Sequence, residues 1–334
     1  MTSRTTILDL LSGKKVDTQP AFSGLIHITA EGLQREGLAL SETHKDARKL
    51  AKASASTFKL SGLPSAIAPL DILVEAEAIG SPVDFRENDE FAFPRTVKPI
   101  FSSTKLITAE IGDSFELLNH GRIKLVCEAL ELLKEDIGNE AVIGGMIPGP
   151  FTLLLYLVEP GGLFADMKRD PGAVQNALAH LASFLARVAQ VYRNAGADFI
   201  TIHDMGGSPG FIGPAKYEQF VYPAEKLLIT QLLPPCVLSV CGNTNKSMHL
   251  LAQTGADAIS VDQLNDLTAS RQVLKDTLLF GNIDPVGKLW QGTETDIAEA
   301  VRAAKETGVD AVWPGCDLVP QTPIENVKAF FNAT

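Results

Sequence analysis

Short apolar runs alternate with amphipathic stretches through the second half of the chain. Amphipathic segments over 181–194, 248–254 and 297–307 are each followed closely by a glycine and an apolar run. The three copies read Gly196-Ala197-Asp198-Phe199, Gly255-Ala256-Asp257-Ala258 and Gly308-Val309-Asp310-Ala311. The glycine suits a helix C′ position, where left-handed backbone costs it little. The runs behind it end at His203-Asp204, at Asp262 and near Cys316. Runs this short and apolar on both faces read as buried parallel strands. Further strands are expected over 236–240, 278–281, 141–146 and 20–26, with one more near 56–60 or 83–85. At the end of the chain, Thr322 offers an N-cap, Pro323 an N1 residue and Glu325 an N3 carboxylate. Ile324, Val327 and Phe331 then share a helix face. Alternating strands and helices, with about eight strands, predict a (β/α)8 TIM barrel over 1–334 as a single domain. An open doubly wound sheet would announce a glycine-rich phosphate turn, and neither GxGxxG nor GxxxxGK[ST] occurs.

Composition narrows the function classes. With 334 residues, 45% of them hydrophobic, the chain can bury a large core. Against 40 acidic residues it has 29 basic ones, a formal net charge of −11. That sign repels phosphate backbones, so no nucleic-acid partner is expected. No apolar run approaches the roughly 18–20 residues of a membrane span, and Met1-Thr2-Ser3-Arg4 does not begin a signal peptide. Four scattered cysteines do not form a disulfide framework. A reducing cytoplasm is the expected compartment, and a homodimer is left open.

In a barrel, the residues just past the C-terminal strand ends share one cavity. Those positions read Met146-Ile147-Pro148-Gly149-Pro150, His203-Asp204, Cys241-Gly242-Asn243, Asp262-Gln263, Asn282-Ile283-Asp284 and Gly315-Cys316-Asp317. Polar and thiol groups are costly to bury without purpose, so their concentration there marks a candidate site. Cys241 and Cys316 each adjoin a glycine. With a nitrogen or carboxylate from His203 or Asp262 they could hold zinc and leave a position open; two unrelated buried cysteines is the other reading. Asp204, Asp262 and Asp284 are candidate acids or orienting groups. His27, Met146, His203, Asn243 and Asn282 are candidate substrate contacts. Cys127 and Cys236 read as structural, His44, His120 and His180 as surface residues, and Glu75/Glu77 as a solvated helix face. The stretches 61–64 and 86–89 are the expected pocket wall.

Several motifs together carry a resemblance. They are Leu73-Val74-Glu75-Ala76-Glu77-Ala78-Ile79-Gly80, Pro148-Gly149-Pro150-Phe151-Thr152, Cys241-Gly242-Asn243-Thr244, Gly255 to Asp262, Gly281-Asn282-Ile283-Asp284-Pro285 and Thr322 to Ala329. Spread from about residue 5 to 331, they resemble the uroporphyrinogen decarboxylase superfamily, whose fold is a distorted TIM barrel. The decarboxylase branch carries an arginine-rich motif after the first strand, where this chain has Phe22-Ser23-Gly24-Leu25-Ile26-His27. It also carries Gly-His near the last strand, where this chain has Pro314-Gly315-Cys316. The second element is similar to the corrinoid-dependent methyltransferases, such as methylcobamide:coenzyme M methyltransferases. The resemblance implies methyl transfer between a corrinoid carried by a partner protein and a small-molecule donor or acceptor, with zinc as cofactor. It implies zinc ligands in a His-x-Cys element and a distant Cys. Cys241 and Cys316 match the two thiols; the family histidine aligns with Ser239, so His203 or Asp262 would have to substitute if metal binds. A decarboxylase-like lyase and a non-catalytic barrel of a corrinoid system are the alternatives.

Overall fold

The computed structural model describes residues 2–113 and 116–334. Seven parallel strands form one sheet in chain order: β1 (Ser65–Ala68), β2 (Val142–Pro148), β3 (Phe199–Asp204), β4 (Cys236–Val240), β5 (Ala258–Val261), β6 (Leu278–Ile283) and β7 (Ala311–Pro314). Almost every strand residue is buried, as a sheet covered by helices outside and side chains inside requires. Helices return the chain between strands, as right-handed βαβ crossovers need. The long one, Pro171–Asn194, ends before Gly196, whose φ of +107° takes the turn into β3. Gly255 and Gly308 repeat that turn with φ of +89° and +85°.

The eighth position of the ring departs from expectation. The segment 20–26 is not a full strand. It touches β7 through one parallel bridge, Ala21 to Val312, with Val312 N donating to Pro20 O at 3.0 Å. On its other side Ser23 N donates to Ser65 Oγ of β1 at 2.9 Å. The barrel is therefore a distorted TIM barrel, seven ladder strands closed by a strap. Gly24 lies in this strap because a Cβ there would sit 2.4 Å from Thr201 Oγ1, 2.6 Å from the Trp313 ring and 2.7 Å from the Phe199 ring.

The strand expected at 56–60 is helical, inside Ala47–Ser61, and Val83–Asp84 pairs antiparallel with Arg95–Thr96 outside the barrel. The actual β1 is four residues long and too short to show a period. The last helix is Ile324–Asn332, with Pro323 at the N-cap and no side-chain cap. Thr322 does not cap it; its buried Oγ1 has no partner.

The N-terminal helix Ser3–Leu11 plugs the bottom of the ring. Ile7, Leu10 and Leu11 pack with Phe22, Phe199, Phe280 and Trp313 inside it. Phe22 meets Trp313 edge-on at 5.0 Å and Phe280 at 5.5 Å. Burying each such side chain is worth about 1.5–3 kcal/mol. Arg4 clamps the plug by a bidentate contact to Asp198, 2.7 and 2.9 Å. The ring interior is filled at its lower end, and the strand-end side chains meet a pocket at the C-terminal mouth.

Candidate metal centre at the barrel mouth

Strand register puts three ligand-type side chains together. Alternate residues of a strand face inward, so on β3 Phe199, Thr201 and His203 enter the barrel, and on β4 Val237 and Ser239 do, with Cys241 next along. His203 and Ser239 are register partners, as are Ser239 and Ser260. Cys241 lies just beyond β4 and Cys316 just beyond β7. Nitrogen and sulfur atoms of His203, Cys241 and Cys316 all lie within 4.8 Å of one another. The two Sγ atoms are 3.0 Å apart.

The backbone around the thiols is built for close approach. Gly242 has φ of +77°, which turns the chain directly after Cys241. A Cβ at Gly315 would stand 2.8 Å from Gln263 N. Asp262 Oδ2 accepts from Gly242 N at 3.0 Å and Oδ1 from Leu264 N at 2.9 Å. Asn265 accepts from Thr244 N and Oγ1, both at 2.8 Å, and donates to Gly242 O and Asp262 O. Asp262 and Asn265 thus fix the loop that carries Cys241.

Electrostatics couples the three groups. Burial opposes charge on His203, but the Asp317 carboxylate and the Cys316 sulfur outweigh it and raise the imidazole to about 10. Asp317 Oδ2 lies 3.3 Å from His203 Nε2, off the line of a hydrogen bond, and both ring nitrogens lack a hydrogen-bond partner. The Cys241 hydrogen bond holds Cys316 below the ordinary thiol range, with His203 adding to the effect. Cys241 is pushed up by Cys316 and by burial. A buried imidazole without a hydrogen-bond partner beside a thiol pair, its ring proton displaced by the metal, is a donor set that suits zinc.

The remaining expected site residues serve other contacts. Asp204 is fully buried, boxed between Gly149 and Gly207, and its Oδ1 accepts from Thr152 Oγ1 at 2.6 Å and Gly207 N at 2.7 Å. Burial pushes it up, and burial together with Asp204 pushes Glu225 well up. Asp284 Oδ1 accepts from Val286 N and Gly287 N, both at 2.9 Å, capping the following helical turn. His27 Nδ1 is 2.6 Å from Leu25 O and Nε2 3.0 Å from Ser65 O, tying strap to β1, and burial lowers its pKa. Asn243 is exposed and bonds to Asn245. Asn282 donates to the Asp262 and Asn265 carbonyls. Met146 is wholly buried.

Beside the thiol centre is a pocket of about 170 Å³ running from Asp71 to Asp317, with Ile26, Tyr156 and Met205 in its wall. Sequence reasoning missed most of it. Residues 61–64 lead into the opposite end of β1, and 86–89 form a turn that does not line the pocket. The first third contributes Asp71, Ile72, Leu73, Phe93 and Pro94 instead. His44 and Glu75, expected at the surface, are buried. His44 Nδ1 is 2.8 Å from Asp71, and Tyr192 donates to Glu75 at 3.3 Å. Asp317 stood at a strand end in the sequence but nothing there assigned it a role. Cys127 and Cys236 are buried away from the site, as expected.

A parallel barrel with its lower end plugged and an imidazole–dithiol centre at its mouth is the framework of an α/β-barrel enzyme. Comparison with known proteins narrows the class. The chain belongs to the uroporphyrinogen decarboxylase (URO-D) family, whose model matches residues 2–334. It is 31% identical over 321 residues to the methylcobamide:CoM methyltransferase MtbA of Methanosarcina acetivorans, covering 95% of this chain and 93% of that one. A solved structure of a methyltransferase from Methanosarcina mazei superposes with a TM-score of 0.92 at 27% identity, covering 100% of this chain and 98% of the other. A uroporphyrinogen decarboxylase of Trichodesmium erythraeum is 29% identical over 276 residues, covering 78% and 74%. Among the described residues no helix is long and apolar enough to cross a membrane.

Proposed function

We propose that the chain is a methyltransferase that moves a methyl group between the cobalt of a corrinoid on a partner protein and a small molecule at the barrel mouth, with zinc held by His203, Cys241 and Cys316. The observation that carries this reading is the convergence of those three side chains within 4.8 Å despite serine at position 239. Zinc bound there would lower the pKa of a substrate thiol and favour its thiolate near neutral pH.

The protein's own groups set up the rest. Asp317 stands 3.3 Å from His203 Nε2; zinc binding there would displace the ring proton, and an outer carboxylate of this kind raises ligand basicity. Its Oδ1 also accepts from Ile26 N at 2.8 Å, so it locks the strap to the site. Asp262 and Asn265 hold the Cys241 loop. Asp204, with Thr152, anchors the turn after β3 that presents Met205 over the mouth. When a thiol accepts the methyl group, the carbon–cobalt bond breaks and its electron pair stays on cobalt, which goes from Co(III) to Co(I). The sulfur–carbon bond forms and the thiol proton leaves to solvent. The exposed Met205, Phe211 and Leu264, on the connections after β3 and β5, give a corrinoid-bearing partner an apolar rim to rest on. The cytoplasm, where thiols stay reduced, suits this chemistry.

Decarboxylation of a polycarboxylate would need cationic clamps, and among the described residues no Lys, Arg or His lines the pocket beside the centre. The deciding experiment is metal analysis of the purified protein with Cys241→Ala and Cys316→Ala. About one zinc per chain, lost in both variants, is the expected result. A folded, zinc-supplemented wild type without metal would overturn the zinc-assisted reading.

A further inference from the structure

The pocket beside the thiol centre has walls of one character and charges of one sign. Ile72, Phe93, Tyr156 and Met205 supply apolar surface, and Asp71 and Asp317 are the two ionisable carboxyls at its edges. The nearest buried cation is already used. Arg122 gives Nη1 and Nη2 to Asp71 at 2.7 and 3.1 Å and Nε to Glu77 at 2.5 Å, so one guanidinium serves two carboxylates. Asp71 is held well below the usual carboxylate range by Arg122 and His44, against its burial, and stays anionic. An anionic substrate group entering here would meet two carboxylates, while the cations behind them, Arg122 and His203, already face Asp71 and Asp317, so it would lose its hydration without a free partner. At about 170 Å³ the pocket is also smaller than the roughly 300–1,000 Å³ of drug-sized sites.

We infer that this pocket is the small-molecule subsite and that it selects an uncharged methyl acceptor or donor, such as a neutral thiol or methyl thioether, over one bearing a sulfonate or carboxylate. The inference rests on the methyltransferase reading for the identity of the reacting group. It does not rest on it for the sign of the charge that the pocket tolerates.

The test uses two thiols of nearly equal size: 2-mercaptoethanesulfonate and its uncharged isostere 2-(methylsulfonyl)ethanethiol. Titration calorimetry on the full-length, zinc-supplemented protein is expected to show the neutral thiol binding about tenfold or more tighter. Met205→Arg, which adds a cation at a half-exposed wall position, is expected to remove or reverse that preference. Equal or tighter binding of the sulfonate to the wild type overturns the inference. So does binding of neither thiol, or a preference that Met205→Arg leaves unchanged. Demethylation of methylcobalamin by the same two thiols, followed by the cobalamin absorbance, reads the other claim separately. Selective binding of the neutral thiol without turnover of either would sink the methyltransferase reading and leave the pocket's selectivity standing. Faster turnover of the sulfonate would do the reverse.

Discussion

His203 and Ser239 stand opposite each other in the register of adjacent parallel strands. Both face into the barrel, one step below the mouth. The resemblance to corrinoid methyltransferases leads one to expect a histidine at position 239, two residues before Cys241. Here the imidazole comes from the neighbouring strand at the same height, and its nitrogens are buried without hydrogen-bond partners.

That pairing predicts a rescue. His203→Ala should lose bound zinc, and the double variant His203→Ala/Ser239→His should recover it, because either strand can present a ring nitrogen to Cys241 and Cys316. Zinc stoichiometry and competition with a chelator measure both. Full zinc retention by His203→Ala would remove His203 from the ligand set.

Asp284 is a cap. Asp284→Ala should cost about 1 kcal/mol of stability, read by denaturant unfolding, while Asp284→Asn, which keeps an acceptor oxygen, should cost less. Methyl transfer, measured with methylcobalamin, should stay within a few-fold of wild type in Asp284→Asn; a loss of orders of magnitude would make the carboxylate a participant.

Glu75 gives stability a pH dependence away from the metal centre. Burial raises its folded pKa to about 8 from an ordinary 4.5. The folded state therefore holds a proton that the unfolded chain has lost, and stability falls as pH rises from about 4.5 to 8. Glu75→Gln, neutral throughout, should flatten this slope and be more stable than wild type at pH 8–9, by an amount on the order of a few kcal/mol. Urea unfolding across pH 5–9 checks it; an unchanged slope would show that Glu75 is ionised in the folded protein.

Gly24→Ala should destabilise the fold. The added methyl would collide with Thr201, Trp313 and Phe199 at 2.4–2.7 Å, and all three are fully buried. A loss of about 1–3 kcal/mol or more is expected. Thermal unfolding would show it, and a wild-type melting temperature would mean that the strap yields at little cost.

The second half of the barrel was legible because each strand is a short apolar run behind a glycine that stops a helix. The span expected at 236–240 is β4 as observed, and the run ending at His203-Asp204 is β3. The first third was opaque for a physical reason. Its strand has four residues, its ring-closing strap has one bridge, and neither is long enough to carry a period. At the site, Cys241, Cys316 and His203 could be picked out because strand ends in a barrel converge. The duties of Asp204, Asp262 and Asn282 could not, since they depend on which backbone groups lie opposite. His44 was misjudged because its sequence neighbours are polar, whereas its burial is set by Asp71 and Phe85.

The strap over residues 20–26 has its neighbours at the two extremes of the fold: β1 early in the chain, and β7, completed almost 300 residues after the strap itself. During synthesis on a ribosome its β7 side has nothing to pair with until residues 311–314 have emerged. Contacts of such separation come late because the intervening loop must first be closed. Asp317, which secures the strap through Ile26 and also faces His203, arrives at the same moment. The sealed ring and the finished centre are thus one event, and a nascent chain truncated before its last strand would have neither.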